Sequence, residues 1–191
     1  MSFRGIVITR IIEGIDGASA ATGVVVVIDV LRAFTTAAYA FGAGIAEIEL
    51  AATSEEAFAV SEFRMGEIGG RLIPGFDHNN SPSQLIGRRL VGRAVLRTGA
   101  GTRCVVAATK ASEVWLGSLV VASATARAVA GHDEVTLVAS GSPNEGEEDI
   151  ACASGLPRCC RECAPRRISS PPLSRGVALQ PNTDLMMQIF R

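Results

Sequence analysis

The residues best suited to chemistry fall in five short polar stretches. These are Asp29-Val-Leu-Arg32, Gly66-Glu67, Gly75-Phe-Asp77-His-Asn-Asn80-Ser81-Pro82, Arg97-Thr-Gly-Ala-Gly-Thr102-Arg103, and the run from Ser140 to Asp149. Together they supply carboxylates and guanidinium groups. Carboxylate oxygens suit Mg²⁺, a hard cation that takes few protein ligands and keeps several waters. Arginine forks bind planar or tetrahedral oxyanions through paired hydrogen bonds. Brought into one crevice, they form a site for a polyanion held by metal and arginine, with metal-activated water available to attack phosphorus. Each residue also has a plainer use. Asp29 can cap a helix, Arg32, Arg97 and Arg103 can be surface charges, and Glu145, Glu147, Glu148 and Asp149 can be a solvated first helical turn.

Other chemistries lack their residues. Lys110, the one lysine, sits in Thr-Lys-Ala, so no Walker-type phosphate loop is present. Gly99-Ala-Gly101-Thr-Arg-Cys104 lacks the third glycine of the dinucleotide fingerprint. The two histidines are His78 in a polar stretch and His132 in a turn-like Gly-His-Asp-Glu, and no Gly-x-Ser-x-Gly elbow accompanies them.

The elements that must position these stretches alternate between strand and helix. Phe3 to Ile11 alternates as a half-buried strand, and Val24 to Ile28 is the β-branched run of a strand covered on both faces. Ala33 to Phe41 reads as a helix ending at Gly42 and Gly44, and Ile45 to Leu50 as a strand. Thr53 and Glu56 form a capping box that opens a helix through about Phe63. Met65 to Gln84 reads as a long loop. Strands follow at Arg93 to Arg97, Glu113 to Leu119 and Glu134 to Ala139, with helices at about Thr102 to Lys110 and up to Ala130. The alternation predicts an α/β layered domain with a largely parallel or mixed sheet, in which residues just after strand C-termini face the ligand crevice.

Composition narrows the class. At 48% hydrophobic with a net charge of −1, the chain is neither disordered nor a general nucleic-acid binder. No apolar run reaches the roughly 18 residues of a membrane span, and no secretory h-region opens the chain. Cys104 alone precedes residue 152, so a reducing, cytoplasmic setting is expected.

The five stretches, in their order and spacing, resemble the 2-phosphosulfolactate phosphatases. The matching blocks are Val27 to Thr35, Gly66-Glu67, Gly75 to Pro82, Arg97 to Arg103 and Gly146 to Cys152, covering the chain to about Ala153. The resemblance implies a three-layer α/β/α sandwich. It also implies Mg²⁺-dependent hydrolysis of 2-phospho-3-sulfolactate, or a similar small phosphate monoester, to 3-sulfolactate and phosphate. Asp29, Glu67 and Asp77 are its expected catalytic carboxylates. With Asp149 they are its expected metal ligands, and Arg32, Asn80, Ser81, Thr102 and Arg103 its substrate contacts. The partner it implies is a small-molecule phosphoester, with neither nucleic acid nor membrane; self-association stays open. Ile68 and Ala100 stand where many members carry Arg and Asn, which leaves the organic acid open. A fold that binds small anions without turnover is the competing reading.

From Gly155 onward the composition shifts, with five of the eight prolines and six arginines against two acids, Glu162 and Asp184. Two short patterns lie near or within it, Cys-x5-Arg at Cys152 to Arg158 and Cys160 to Arg166, and Cys160-x-x-Cys163. Neither has the setting of a phosphatase loop or a second zinc-ligand pair. With permitted codons, the stretch encoding Gly155 to Arg161 read one nucleotide later gives Ala-Tyr-Leu-Ala-Ala-Ala. The expectation is therefore a folded domain over 1–153, an out-of-frame, poorly ordered tail over 154–191, and a fold without its usual C-terminal helices.

Overall fold

The computed structural model describes residues 8–60, 63–141, 146–161, 178–182 and 186–190. In chain order the elements begin with β1 (Ile8–Glu13), α1 (Gly14–Ala20), β2 (Gly23–Ile28), α2 (Ala33–Gly42), β3 (Glu47–Ala51) and α3 (Ser54–Val60). Then come β4 (Phe63–Ile68), β5 (Arg71–Leu72), β6 (Arg93–Arg97), α4 (Gly101–Ala107), β7 (Ala111–Gly117) and α5 (Ala122–Ala128). The last are β8 (Val135–Ala139), α6 (Glu147–Arg161), β9 (Ala178–Asn182) and β10 (Met186–Phe190). Short 3-10 turns lie at Pro82–Leu85 and Leu119–Val121.

The sheet order is β1-β8-β2-β7-β10-β9-β3-β6-β4-β5. Pairings β1–β8, β8–β2 and β2–β7 are parallel, as are β3–β6 and β6–β4. The antiparallel pair β9–β10 bridges these two parallel blocks, and β5 adds an antiparallel edge. The expected α/β class with a mixed sheet is thus the fold observed.

β2 shows why the layers form. Val25 to Ile28 are fully buried, and their side chains alternate between two cores. Val25 and Val27 pack with Ala33, Phe34 and Ala37 of α2 and Cys104 and Val105 of α4. Val26 and Ile28 pack with Ala124 and Ala126 of α5 and Cys152, Ala153 and Leu156 of α6. A strand whose two faces are both covered needs apolar residues at every position, and each Val or Ile so buried contributes about 1.5–3 kcal/mol.

The capping box closes as its spacing predicts. The Glu56 amide donates to Thr53 Oγ1 at 3.2 Å, and Glu56 Oε2 accepts from the Thr53 amide at 3.3 Å. The expected loop from Met65 is corrected: β4 starts at Phe63 and runs through Ile68. Gly66 makes this pairing possible, because a Cβ there would collide with the Arg97 carbonyl oxygen. The sequence also gave no warning of α1.

At the other end, α6 runs through Ala153 to Arg161, with Leu156 buried in the core. Residues 178–182 and 186–190, in the segment expected to lie outside the fold, form β9 and β10 here. Residues 162–177, 183–185 and 191 of that segment lie outside the described residues. So do the side chains of the two cysteine patterns, Cys152 excepted, and that thiol is buried in the core.

Candidate active site

Register brings the polar stretches to one edge. Ile28 pairs with Gly117 of β7 and Ala139 of β8, so Asp29, Ser118 and Ser140 form the next row at the C-terminal ends of adjacent strands. Asp29 is buried at 5% exposure and receives the first amides of two helices. Its Oδ1 accepts from Ala33 at 2.8 Å and its Oδ2 from Gly101 at 3.0 Å. The plainer capping role is therefore realised as well. Gly101 has to be glycine here, because a Cβ would lie 2.5 Å from Asp29 Oδ2.

Asp149, at the start of α6, reaches the same spot. Its Oδ1 accepts from the Val30 amide at 2.7 Å, and its Oδ2 from Ser140 Oγ at 3.2 Å and the Gly141 amide at 3.3 Å. Ser140, next to Asp29 across the β2–β8 pairing, thus donates its hydroxyl to Asp149, and its proximity also lowers the Asp29 carboxyl. Burial pushes the Asp29 carboxyl up to about 6, against the pull of the Ala33 amide and with the Asp149 charge adding to the rise. Asp149 is raised as well, again chiefly by burial. Cys104, whose thiol donates to the Ser140 carbonyl at 3.7 Å, is pushed up to about 12 by burial and by Asp29, which makes it an inert thiol.

Glu67 connects to this centre through a loop. Its Oε1 accepts from the Gly99 amide and its Oε2 from the Gly70 amide, both at 2.7 Å. The segment from Thr98 to Gly101 thus runs from Glu67 to Asp29. Arg97 braces the same corner, its Nη1 donating to the Glu67 carbonyl at 2.7 Å. Asn80 is buried, and its Oδ1 has no hydrogen-bond partner.

The remaining expected residues are placed differently. Asp77 is exposed, and its Oδ2 accepts from the Arg64 amide at 2.8 Å, fastening the turn to β4. The Thr102 hydroxyl is spent on Thr98, accepting from its amide at 2.9 Å and donating to its carbonyl at 3.1 Å. Ser81 Oγ lies 3.0 Å from Ser83 Oγ. Arg32 is half-buried at the boundary of α2, and Arg103 is exposed on the first turn of α4. A groove of about 440 Å³ beside α2, lined by Tyr39, Ile86, Arg88 and Val120 among others, contains none of the carboxylates.

Among the described residues no three metal-ligating side chains converge, so the expected four-carboxylate set divides. Asp29 and Asp149 form the pair, Glu67 is linked to it through backbone, and Asp77 is apart. The pair does fit a divalent cation. It is an all-oxygen donor set of two buried like charges, whose mutual repulsion a cation relieves. Sequence reasoning passed over Ser118 and gave Ser140, named as the start of a polar run, no role of its own; position directly after a strand was the available signal.

The chain was compared with known proteins. A family model described as 2-phosphosulpholactate phosphatase matches residues 10–171. The chain belongs to this family. It is 38% identical over 144 residues to a probable 2-phosphosulfolactate phosphatase of Deinococcus radiodurans, covering 70% of this chain and 59% of the relative. Proteins with the same name from Bacillus subtilis and Thermosynechococcus vestitus are each 35% identical, over 137 and 142 residues. Those matches cover 67% and 69% of this chain and 60% and 58% of the relatives. The chain therefore spans about three-fifths of the length of the curated relatives it matches. No helix among the described residues is long and apolar enough to cross a membrane.

Proposed function

We propose that the protein is a Mg²⁺-dependent phosphatase that hydrolyses 2-phospho-3-sulfolactate, or a similar small phosphate monoester, to the hydroxy acid and phosphate. The observation that carries this reading is the buried Asp29–Asp149 pair at the carboxyl edge of the sheet, in a chain of this family.

Asp29 and Asp149 would hold the cation, with Ser140 orienting Asp149. When bound, Mg²⁺ supplies Lewis-acid polarisation of the phosphoryl oxygens and neutralises charge that develops on them. The amides of Ala33, Gly101, Val30 and Gly141 orient the two carboxylates so that neither swings away. Above about pH 6 Asp29 is ionised and ready to accept a positive charge. Arg32 and Arg103, and Asn80 through its Nδ2 amide, are the donors for the substrate's oxyanions. Glu67 fixes the glycine loop, so its part is to set the shape of the crevice.

The test is phosphate release from 2-phosphosulfolactate by the folded chain, with Mg²⁺ and with a chelator. Release should depend on the metal and fall by two orders of magnitude or more in Asp29→Asn, about the loss expected when a charge-stabilising group is removed. A folded chain without metal-dependent release overturns the reading and leaves a small-anion binder without turnover.

A further inference from the structure

We propose that Ser118 is a ligand-contacting residue of this site, its hydroxyl donating to an oxyanion of the molecule bound at Asp29. The proposal deepens the phosphatase reading and rests on it.

Ser118 immediately follows β7. Val27, Leu116 and Val138 pair across β2, β7 and β8 and share one core, so two residues further on the side chains of Asp29, Ser118 and Ser140 lie on that same face. Ser140 flanks Asp29 on one side, and Ser118 flanks it on the other. The two serines differ in what they touch. The Ser140 hydroxyl donates to Asp149, whereas the Ser118 hydroxyl is fully buried and has no hydrogen-bond partner.

The usual employment of a serine in this position is also absent. Ser118 precedes the 3-10 turn Leu119–Val121, yet its side chain makes no capping hydrogen bond there. Its backbone is already committed, the carbonyl accepting from the Val121 amide at 3.2 Å. An apolar residue would fill the space without the penalty of an unsatisfied hydroxyl. A donor kept dry beside a buried carboxylate, at the strand edge where ligands bind in open α/β sheets, is suited to an acceptor that arrives with the ligand.

The experiment measures binding of inorganic phosphate in the presence of Mg²⁺ by calorimetry, alongside thermal unfolding of the ligand-free protein. Ser118→Ala is expected to weaken phosphate binding about tenfold or more, the scale of a hydrogen bond to a charged group. Its unfolding temperature should be unchanged or higher. Ser118→Cys keeps the volume with a poorer donor and should show the same weakening; it decides the matter if the alanine variant does not fold. Wild-type affinity in the variants, with a lowered unfolding temperature or without one, overturns the Ser118 assignment alone and makes the hydroxyl structural. A wild-type chain that binds no phosphate overturns the phosphatase reading, and the Ser118 assignment falls with it.

Discussion

Replacing Asp29 by Asn should flatten the pH dependence of stability between pH 4 and 7. Asp29 is buried, and its folded-state carboxyl lies at about 6 against an ordinary value of 3.8. Between those values the unfolded chain has lost the proton and the folded chain still holds it. Stability therefore falls as pH rises through that window and is level above it. The interval corresponds to about 3 kcal/mol at about 1.4 kcal/mol per pH unit. Urea unfolding of metal-free protein at intervals from pH 4 to 7.5 measures it. The wild type should lose about that amount, and Asp29→Asn distinctly less, because Asp149 then titrates without a neighbouring charge. The variant also loses something at every pH, since an amide offers one acceptor where the carboxylate took the Ala33 and Gly101 amides on two. Parallel pH profiles for the two proteins would refute the argument that burial of Asp29 sets its proton affinity.

Further outcomes are expected at three other positions. Gly101→Ala puts a methyl against Asp29 Oδ2 and should cost about 1–3 kcal/mol in urea unfolding, with loss of phosphate release. Glu67→Gln leaves either the Gly99 or the Gly70 amide without its acceptor, at about 1–3 kcal/mol, and faster hydrogen exchange at those two amides reports it. Leu156→Ala should cost about 2–5 kcal/mol if α6 packs beyond Ala153 as described, and a negligible cost would show that it does not. The out-of-frame reading from Ser154 predicts a family-like helix in the shifted frame of the coding DNA, and its absence there removes that reading.

What was legible in the sequence tracks how local its cause is. The run from Val24 to Ile28 announces a strand covered on both faces, and Thr53 with Glu56 announces a helix start, because each depends on neighbours a few residues away. Asp29 was legible for the same reason, as the first polar residue after that run. β4 was not, since Phe-Arg-Met-Gly-Glu-Ile carries no period-2 apolar pattern. It is a strand because Met65 buries into the core and Gly66 admits the Arg97 carbonyl, both facts of tertiary structure. Asp77, whose role came from the family resemblance, accepts from the Arg64 amide, a contact made by a residue 13 positions away that its own sequence neighbours do not announce. The convergence of Asp29 with Asp149 rests on the pairing of β2 with β8, and the Val30 amide then meets an Asp149 carboxylate 119 positions away. Sequence spacing contains no trace of that distance.

The glycine loop after β6 has a mechanical consequence. Its Gly99 amide ends on Glu67 and its Gly101 amide on Asp29, so three residues tie carboxylates from strands in the two separate parallel blocks. Glycines at 99 and 101 let it run close against both, and displacement of either acid is transmitted through two short hydrogen bonds to the other. Glu67 and Asp29 are therefore not independent sites of mutation. Substitutions at the two should fail to add, with a coupling energy on the order of 0.5–3 kcal/mol carried by the strap between them.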